Sequence, residues 1–253
     1  MDFRPESISV DPKTLWEKVY ATKTADAVRW YRRHLERSLA LIERAAPELS
    51  ASIIDVGGGE STLVDDLLLR GYANITVLDI SEGAIDVTRS RLGSAADQVR
   101  WIAADITEVE LEPRAYDLWH DRAVFHFLTV HEQRTAYVRQ VARSVRPGGH
   151  VIISAFGPDG PTKCSGLEVV RYDAESLHRE FGVGFRLVES STELHRTPFD
   201  TTSNSFTATA GSTNSRIVQT PCRVFVVARR IRGPPEINDE PSRRLRSQPE
   251  MFK

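Results

Sequence analysis

The sequence predicts an α/β fold with a mostly parallel sheet of seven strands, helices on both faces, and a last strand antiparallel to the others. Three observations predict its parallel α/β part. Short apolar runs alternate with segments of helical period, the pattern of βαβ crossovers. The first apolar run ends in an acid and three glycines, Asp55-Val56-Gly57-Gly58-Gly59, so a strand turns sharply into a helix. Val151-Ile152-Ile153 shows no polar alternation, as expected for a parallel strand covered on both faces.

The elements follow in order. Residues 1–12 read as a loose arm. From Lys13 to Ala46 apolar residues recur with helical spacing (Leu15, Trp16, Val19, then Val28, Trp30, Tyr31, Leu35, Leu39, Leu41, Ile42), and Thr24-Ala25-Asp26 splits the stretch into two helices. Ile53–Val56 is the first strand. Leu63–Arg70 is a helix closed by Gly71. Ile75–Asp79 is the second strand, and Ala84–Leu92 a helix stopped by Gly93. Val99–Ala103 and Tyr116–Asp121 are the third and fourth strands. Glu132–Val145 is a helix ended by Pro147-Gly148-Gly149, because proline cannot continue it and paired glycines allow reversal. His150–Phe156 is the fifth strand. A Gly/Pro-rich loop, 157–166, precedes a helix at Ala174–Glu180 and a sixth strand at Phe185–Glu189. Residues 200–215 are dominated by Thr, Ser, Asn and Ala, and the β-branched run Arg223–Ala228 reads as the seventh strand. The expected organisation is a helical lid over 1–48, one domain over 49–228, and a basic, proline-rich disordered tail over 229–253.

Composition excludes several classes. A net charge of −2 gives no electrostatic case for nucleic acid or a membrane surface. No apolar run approaches the roughly 18 residues that span a bilayer. Met1–Glu6 carries acids and a proline, so no secretory signal is expected. Cys164 and Cys222 are too few for a disulfide framework, and reduced thiols in a cytoplasmic protein are expected.

The glycine turn leaves backbone N–H groups at a helix start, where a nucleotide-type ligand binds in such sheets. The dinucleotide pattern G-x-G-x-x-G fails, because Thr62 stands where the third glycine belongs. The frame acid-x-G-x-G-x-small fits throughout, with Asp55, Gly57, Gly59 and Ser61. A turn without any ligand is the alternative. Asp79, closing the second strand, suits a ribose diol or a helix cap. Asp105 follows the third strand, and His120, Asp121 and Arg122 end the fourth.

Taken together, Asp55-x-Gly57-x-Gly59-x-Ser61, Asp79, Asp105 and Pro147-Gly148-Gly149 resemble the class I S-adenosylmethionine-dependent methyltransferases over about residues 13–195. The resemblance implies a Rossmann-like sandwich with S-adenosylmethionine as cofactor. It implies that Gly57, Gly58 and Gly59 lie against the methionine part, that Asp55 orders the turn and that Ser61 completes it. Asp79 would meet the ribose, Asp105 the adenine amino group and Ile106 the ring, with Ile80 also among the cofactor-binding residues. Trp16, Tyr20, Trp30 and Tyr31 would lid the pocket, with Trp30 touching the cofactor, or else pack on the sheet. Asp121-Arg122-Ala123 is similar to the D-R-G and D-K-G signatures of thiopurine-type and some protein-lysine enzymes, with Ala in place of Gly. His120, Asp121, Arg122 and His126 are then the candidates for orienting or deprotonating an acceptor, or else a cluster that only shapes the loop. The spacing of His120, His126 and His131 matches no standard metal set. The acceptor implied is a small molecule or a protein lysine. Trp119–Phe127 and Cys164–Leu167 look like a bacterial subgroup of unassigned substrate. The polar stretch near residue 200 departs from it, either as a long excursion before the seventh strand or as a changed reading frame. Two other functions fit less of the pattern: a non-catalytic S-adenosylmethionine-binding protein, and an NAD-dependent oxidoreductase.

Overall fold

Alternation along the strands builds two apolar faces, and the helices fall on whichever face their buried stripe matches. In the computed structural model, residues 11–22, 33–193 and 223–231 are described. The large sheet holds β1 (Ser52–Val56), β2 (Asn74–Asp79), β3 (Val99–Ala103), β4 (Tyr116–Arg122), β5 (Val145–Phe156), β8 (Phe185–Glu193) and β9 (Arg223–Arg230), in the order β3-β2-β1-β4-β5-β9-β8. A small hairpin, β6 (Lys163–Cys164) and β7 (Leu167–Glu168), stands apart from it. β1 pairs in parallel with β2 and β4, β2 with β3, and β4 with β5. β9 runs antiparallel to both neighbours, β5 and β8.

Ile53, Leu118, Ile152, Phe225 and Val227 face one side, where α2 (Glu36–Ala45) and α3 (Leu63–Leu69) cover them with Leu39, Leu41, Ile42, Leu63 and Leu67. Ile54, Trp119, Val151, Ile153 and Val226 face the other, under Tyr137 and Val141 of α5 (His131–Ser144) and Leu177 and Phe181 of α6 (Ala174–Phe181). α4 (Glu82–Leu92) runs along β2 and β3. Burying each large apolar side chain contributes roughly 1.5–3 kcal/mol, so these two layers carry the fold.

The structure moves several expected boundaries. The second helix begins at Glu36, and Arg33, His34 and Leu35 before it are not helical. α2 belongs to the sheet's core, so among the described residues of the expected lid α1 (Pro12–Thr22), which has no fully buried residue, is the part that stands over the domain as a lid would. β5 starts at Val145, ahead of Pro147, with its pairing to β4 shifted between Tyr116 and Leu118. The residue before a proline avoids helix, and Gly148 at φ +87 absorbs the irregularity, so the Pro-Gly-Gly step is a bulge inside the strand. The expected loop 157–166 holds β6, and its hairpin turns on Ser165 and Gly166, both at positive φ, the geometry of the tightest hairpins. β9 continues to Arg230, past the expected start of a tail at 229. The rest of that tail, the stretch 200–215 and Trp30 lie outside the described residues.

Candidate active site

β1 delivers the chain into the glycine turn at the carboxyl edge of the sheet. Gly57 takes φ +74, which favours glycine, and its N–H donates to Leu78 O at 2.7 Å. Any Cβ at Gly57 would strike Val124, and one at Gly58 would lie 2.5 Å from Asp55 Oδ2. The glycines therefore let the loop after β4 and the carboxylate of Asp55 close on the turn. Ser61 Oγ accepts from Leu63 N–H at the start of α3.

Asp79 ends β2 and ties this turn to α4. Its Oδ2 accepts from Gly59 N–H and its Oδ1 from Ser81 N–H, both at 2.9 Å. The helix cap is Ser81, whose Oγ accepts from Ala84 N–H, so the carboxylate of Asp79 is not the cap. Burial pushes Asp79 up to about 6, against the two N–H groups that favour its charge, with Asp55 and Glu17 adding to the rise. Next to it lies a cavity of about 410 Å³ lined by Ile80, Ala104, Asp105, Val109 and Glu108, with Asp11 and Lys13 at the start of α1. Asp105 Oδ1 accepts from Thr107 N–H and Oγ1–H, which fixes the loop after β3. Ile106 turns away into the main core, 5% exposed. It does not line the cavity, whereas Val109 does.

α1 lies over this edge. Glu17 reaches the start of α4, where its carboxylate accepts from Ser81 Oγ–H and Glu82 N–H, both at 2.9 Å. Trp16 packs edge-on to Phe127 with ring centroids 5.0 Å apart, and Tyr20 stacks beside Trp16. Burial, then the charges of Asp79, Glu60 and Cys164, hold the Tyr20 phenol well above its ordinary range. Glu60 is 7% exposed, and burial followed by the charge of Asp79 raises it to about 7.

The end of β4 does not gather its polar residues in one place. His120 and Asp121 are neighbours in a strand, so they point to opposite faces. His120 turns toward α2, where its Nδ1 meets Asp55 Oδ1 at 2.7 Å and its Nε2 meets Ser38 Oγ at 2.9 Å, with all three residues buried. Asp121 turns toward α5. It accepts from Val124 N–H, Phe125 N–H and the Tyr137 hydroxyl, the last at 2.6 Å. Burial nevertheless raises it to about 6. Arg122 is half-buried opposite Ser154. His126 is fully buried, with its ring stacked on Phe156 at 4.6 Å and against Phe127. Ala123, which stands where the similar signatures carry glycine, has φ +84.

The comparisons with known proteins agree with this geometry. A family described as "Methyltransferase domain" matches residues 53–149. The eEF1A lysine and N-terminal methyltransferase of Mus musculus is 27% identical over 137 residues, 54% of this chain and 19% of that protein. The malonyl-[acyl-carrier protein] O-methyltransferase of Anoxybacillus flavithermus is 31% identical over 147 residues, 57% of this chain and 54% of that one. The solved structure of Burkholderia thailandensis 1,6-didemethyltoxoflavin-N1-methyltransferase, with bound 1,6-didemethyltoxoflavin and S-adenosylhomocysteine, shares the fold. Its TM-score is 0.56 at 19% identity, over 85% of this chain and 81% of that one. Over residues 53–149 the chain matches a methyltransferase domain, and its fold is the one seen in that S-adenosylhomocysteine-bound enzyme.

The chain spans between about a fifth and a half of the length of these two curated relatives. Around the candidate site, sequence reasoning missed Glu60, Ser38 and Glu17. Glu60 continues the glycine run, and Ser38 is a lone hydroxyl in the buried stripe Leu35-Leu39-Ile42 of α2 and the residue before it. Both were visible as polar residues where apolar or small ones are expected. Glu17 carries no such signal, because its partner lies 64 residues away. No helix among the described residues is long and apolar enough to cross a membrane.

Proposed function

We propose that this chain transfers a methyl group from S-adenosylmethionine to a nucleophilic acceptor. The observation that carries the reading is Asp79, which joins the glycine turn to α4 beside the cavity bordered by Ile80 and Asp105. The residues fit the cofactor. Each oxygen of Asp79 accepts one N–H and keeps a lone pair for a ribose hydroxyl. The cavity offers apolar Ile80, Ala104 and Val109 to a purine and the carboxylate of Asp105 to its amino group. Asp55 Oδ2 is buried beside Gly58 without a hydrogen-bond partner among the described residues, so a cationic group at the turn has an acceptor waiting. Gly57, Gly58, Gly59 and Ser61 supply the turn.

When bound, the cofactor supplies an electrophilic methyl group on a sulfonium. The residues of the chain align and shield. Trp16, Tyr20 and Phe127 form an aromatic wall that excludes water from the cleft beneath α1. His120 and Asp121 act as positioning residues: His120 holds Asp55, and Asp121 holds the loop that carries Val124 against Gly57. Buried His126 shapes that loop, and half-buried Arg122 flanks it. The acceptor is a small heteroatom nucleophile or a protein lysine, a range supported by the nitrogen and oxygen acceptors named for the relatives.

The test is calorimetric titration with S-adenosylhomocysteine, using NADH as a control, followed by a transfer screen with labelled S-adenosylmethionine. Micromolar binding of the first ligand and none of NADH is expected. Binding of NADH alone would favour the oxidoreductase, and binding without any transfer would favour a non-catalytic binder.

A further inference from the structure

At the amino end of β5 the chain gathers arginines around one strand bulge. Arg114, in the turn before β4, donates its N–H to Arg143 O in the last turn of α5. Arg146, within the bulge, donates Nε–H to Arg114 O and pairs with Asp117 at 2.7 Å. From β9, Arg229 donates Nε–H to Gly148 O, and Arg230 a guanidinium N–H to Val145 O. Arg186, exposed on β8, stands opposite Arg229. The main-chain contacts fix the guanidinium groups of Arg146, Arg229 and Arg230 along one edge of the sheet. The charges here oppose one another. Burial and then Arg114 lower Arg230, and burial and then Arg229 lower His150 across the strand pair. Such crowding of like charge costs stability and draws anions.

Two exposed apolar residues adjoin the arginines. Val183, in the turn Gly182–Gly184 between α6 and β8, is 95% exposed, and Ile231, just past β9, is 51% exposed. Ile231 N–H donates to Gly184 O at 3.0 Å, which brings the two segments together. A single exposed apolar side chain is ordinary, but a pair beside a cationic edge has the mixed character of a binding surface. Arginine is enriched at protein interfaces, where its planar fork takes a carboxylate through two bonds at once. A phosphate backbone would satisfy the arginines but gain nothing from Val183 and Ile231, and a chain of net charge −2 repels a long polyanion. The edge therefore suits a polypeptide that carries both acids and apolar side chains.

We propose that the amino edge of the sheet, around Arg143, Arg146, Arg186, Arg229 and Arg230, docks an acidic segment of a partner protein, with Val183 and Ile231 receiving its apolar side chains. The proposal goes beyond methyl transfer and does not depend on the cofactor. β5 carries this edge at one end and Phe156, beside the candidate active site, at the other. It spans Val145–Phe156, so at about 3.3 Å per residue its ends lie roughly 35 Å apart. A partner docked there leaves the cleft beneath α1 open. The field of the arginines speeds the encounter, and the apolar pair adds contact that charge alone does not supply.

The experiment is fluorescence anisotropy of the full chain with a labelled peptide of repeated Glu-Glu-Leu. An all-glutamate peptide and a single-stranded oligouridylate, both of equal charge, are the comparators. The Glu-Glu-Leu peptide should bind at least fivefold tighter than either, and more weakly as salt rises. Arg143→Glu combined with Arg186→Glu, both at exposed positions, should weaken it at least tenfold, whereas Arg89→Glu on α4 should leave it within twofold. Val183→Ser should bring its affinity down to that of the all-glutamate peptide. If the double variant does not fold, the two reversals made singly decide, each with a loss of at least threefold. No binding of the peptide, binding indifferent to the reversals, or tighter binding of the oligouridylate overturns the proposal. So does a dimer in sedimentation that Arg186→Glu dissolves, because the occupant is then a second copy of the chain. S-adenosylhomocysteine affinity should be the same in all these variants, so the cofactor reading stands or falls separately.

Discussion

At the end of β4, neighbouring residues have different duties. Asp121 is an acceptor for three donors in a fully buried place. Removing it strands Val124 N–H, Phe125 N–H and the Tyr137 hydroxyl, and each stranded buried donor costs about 1–3 kcal/mol. Asp121→Ala should therefore lower unfolding stability by roughly 3 kcal/mol or more, read as a drop in urea midpoint; a change under about 1 kcal/mol would refute this account. Ala123, two residues on, has the opposite problem. Its φ of +84 costs a side chain about 1–2 kcal/mol, more than the extra freedom that glycine brings to the unfolded state. Ala123→Gly should raise stability by about 0.5–1 kcal/mol, and a lower melting temperature for that variant would count against the strain. The glycine turn was legible in the sequence because its spacing is fixed by backbone geometry. The roles of His120 and Asp121 were less so. Grouping them at one strand end ignored the two-residue alternation that sends His120 to α2 and Asp121 to α5.

Elements hold together here through contacts of very different strength. α6 is tied in locally and globally: Asp173 and Ser176 form a reciprocal cap, and Phe181 packs on Phe125 and Phe185. α1 has no fully buried residue and depends on the carboxylate of Glu17 at the start of α4 and on Trp16 against Phe127. An element held by so few contacts opens independently of the core. Glu17→Ala should speed amide hydrogen exchange across Leu15–Thr22 at least tenfold and leave the global unfolding midpoint unchanged. Equal slowing or speeding throughout the domain would show instead that α1 is part of the cooperative core. Helical period announced α1 and α2 alike, but period reports only that a face is apolar. Which one joins the core depends on partners distant in sequence, α3 and β5 for α2 and α4 for α1. The two-residue strands β6 and β7 are too short to leave any pattern.

For the whole molecule, β9 closes the sheet. It supplies buried Phe225 and Val227 to one face and Val226 and Ala228 to the other, and without it β8 loses its partner strand. A chain ending at residue 200 should therefore lose its cooperative unfolding transition, and a native-like near-ultraviolet spectrum from it would disprove that role. The parallel part of the fold was readable from runs of apolar residues between helices. The position of β9 between β5 and β8 was not, since no local signal tells a strand which gap it fills. The buried acids give the molecule a stability profile of unusual sign. Burial raises Asp79 and Asp121 from an ordinary 3.8 to about 6. Between those values the native protein holds protons that the unfolded chain has released, so unfolding free energy falls as pH rises. The contribution is complete below about pH 4 and gone above about pH 6, and a shift of one pKa unit is about 1.4 kcal/mol, so each group accounts for on the order of 3 kcal/mol. Other titrating groups contribute to the total, and a comparison isolates Asp79. Urea midpoints of the ligand-free protein measured from pH 4.5 to 6.5 should fall less steeply for Asp79→Asn than for the unaltered chain. Parallel curves for the two would mean that Asp79 is already ionised in the native state at pH 4.5, and that the N–H groups of Gly59 and Ser81 outweigh its burial.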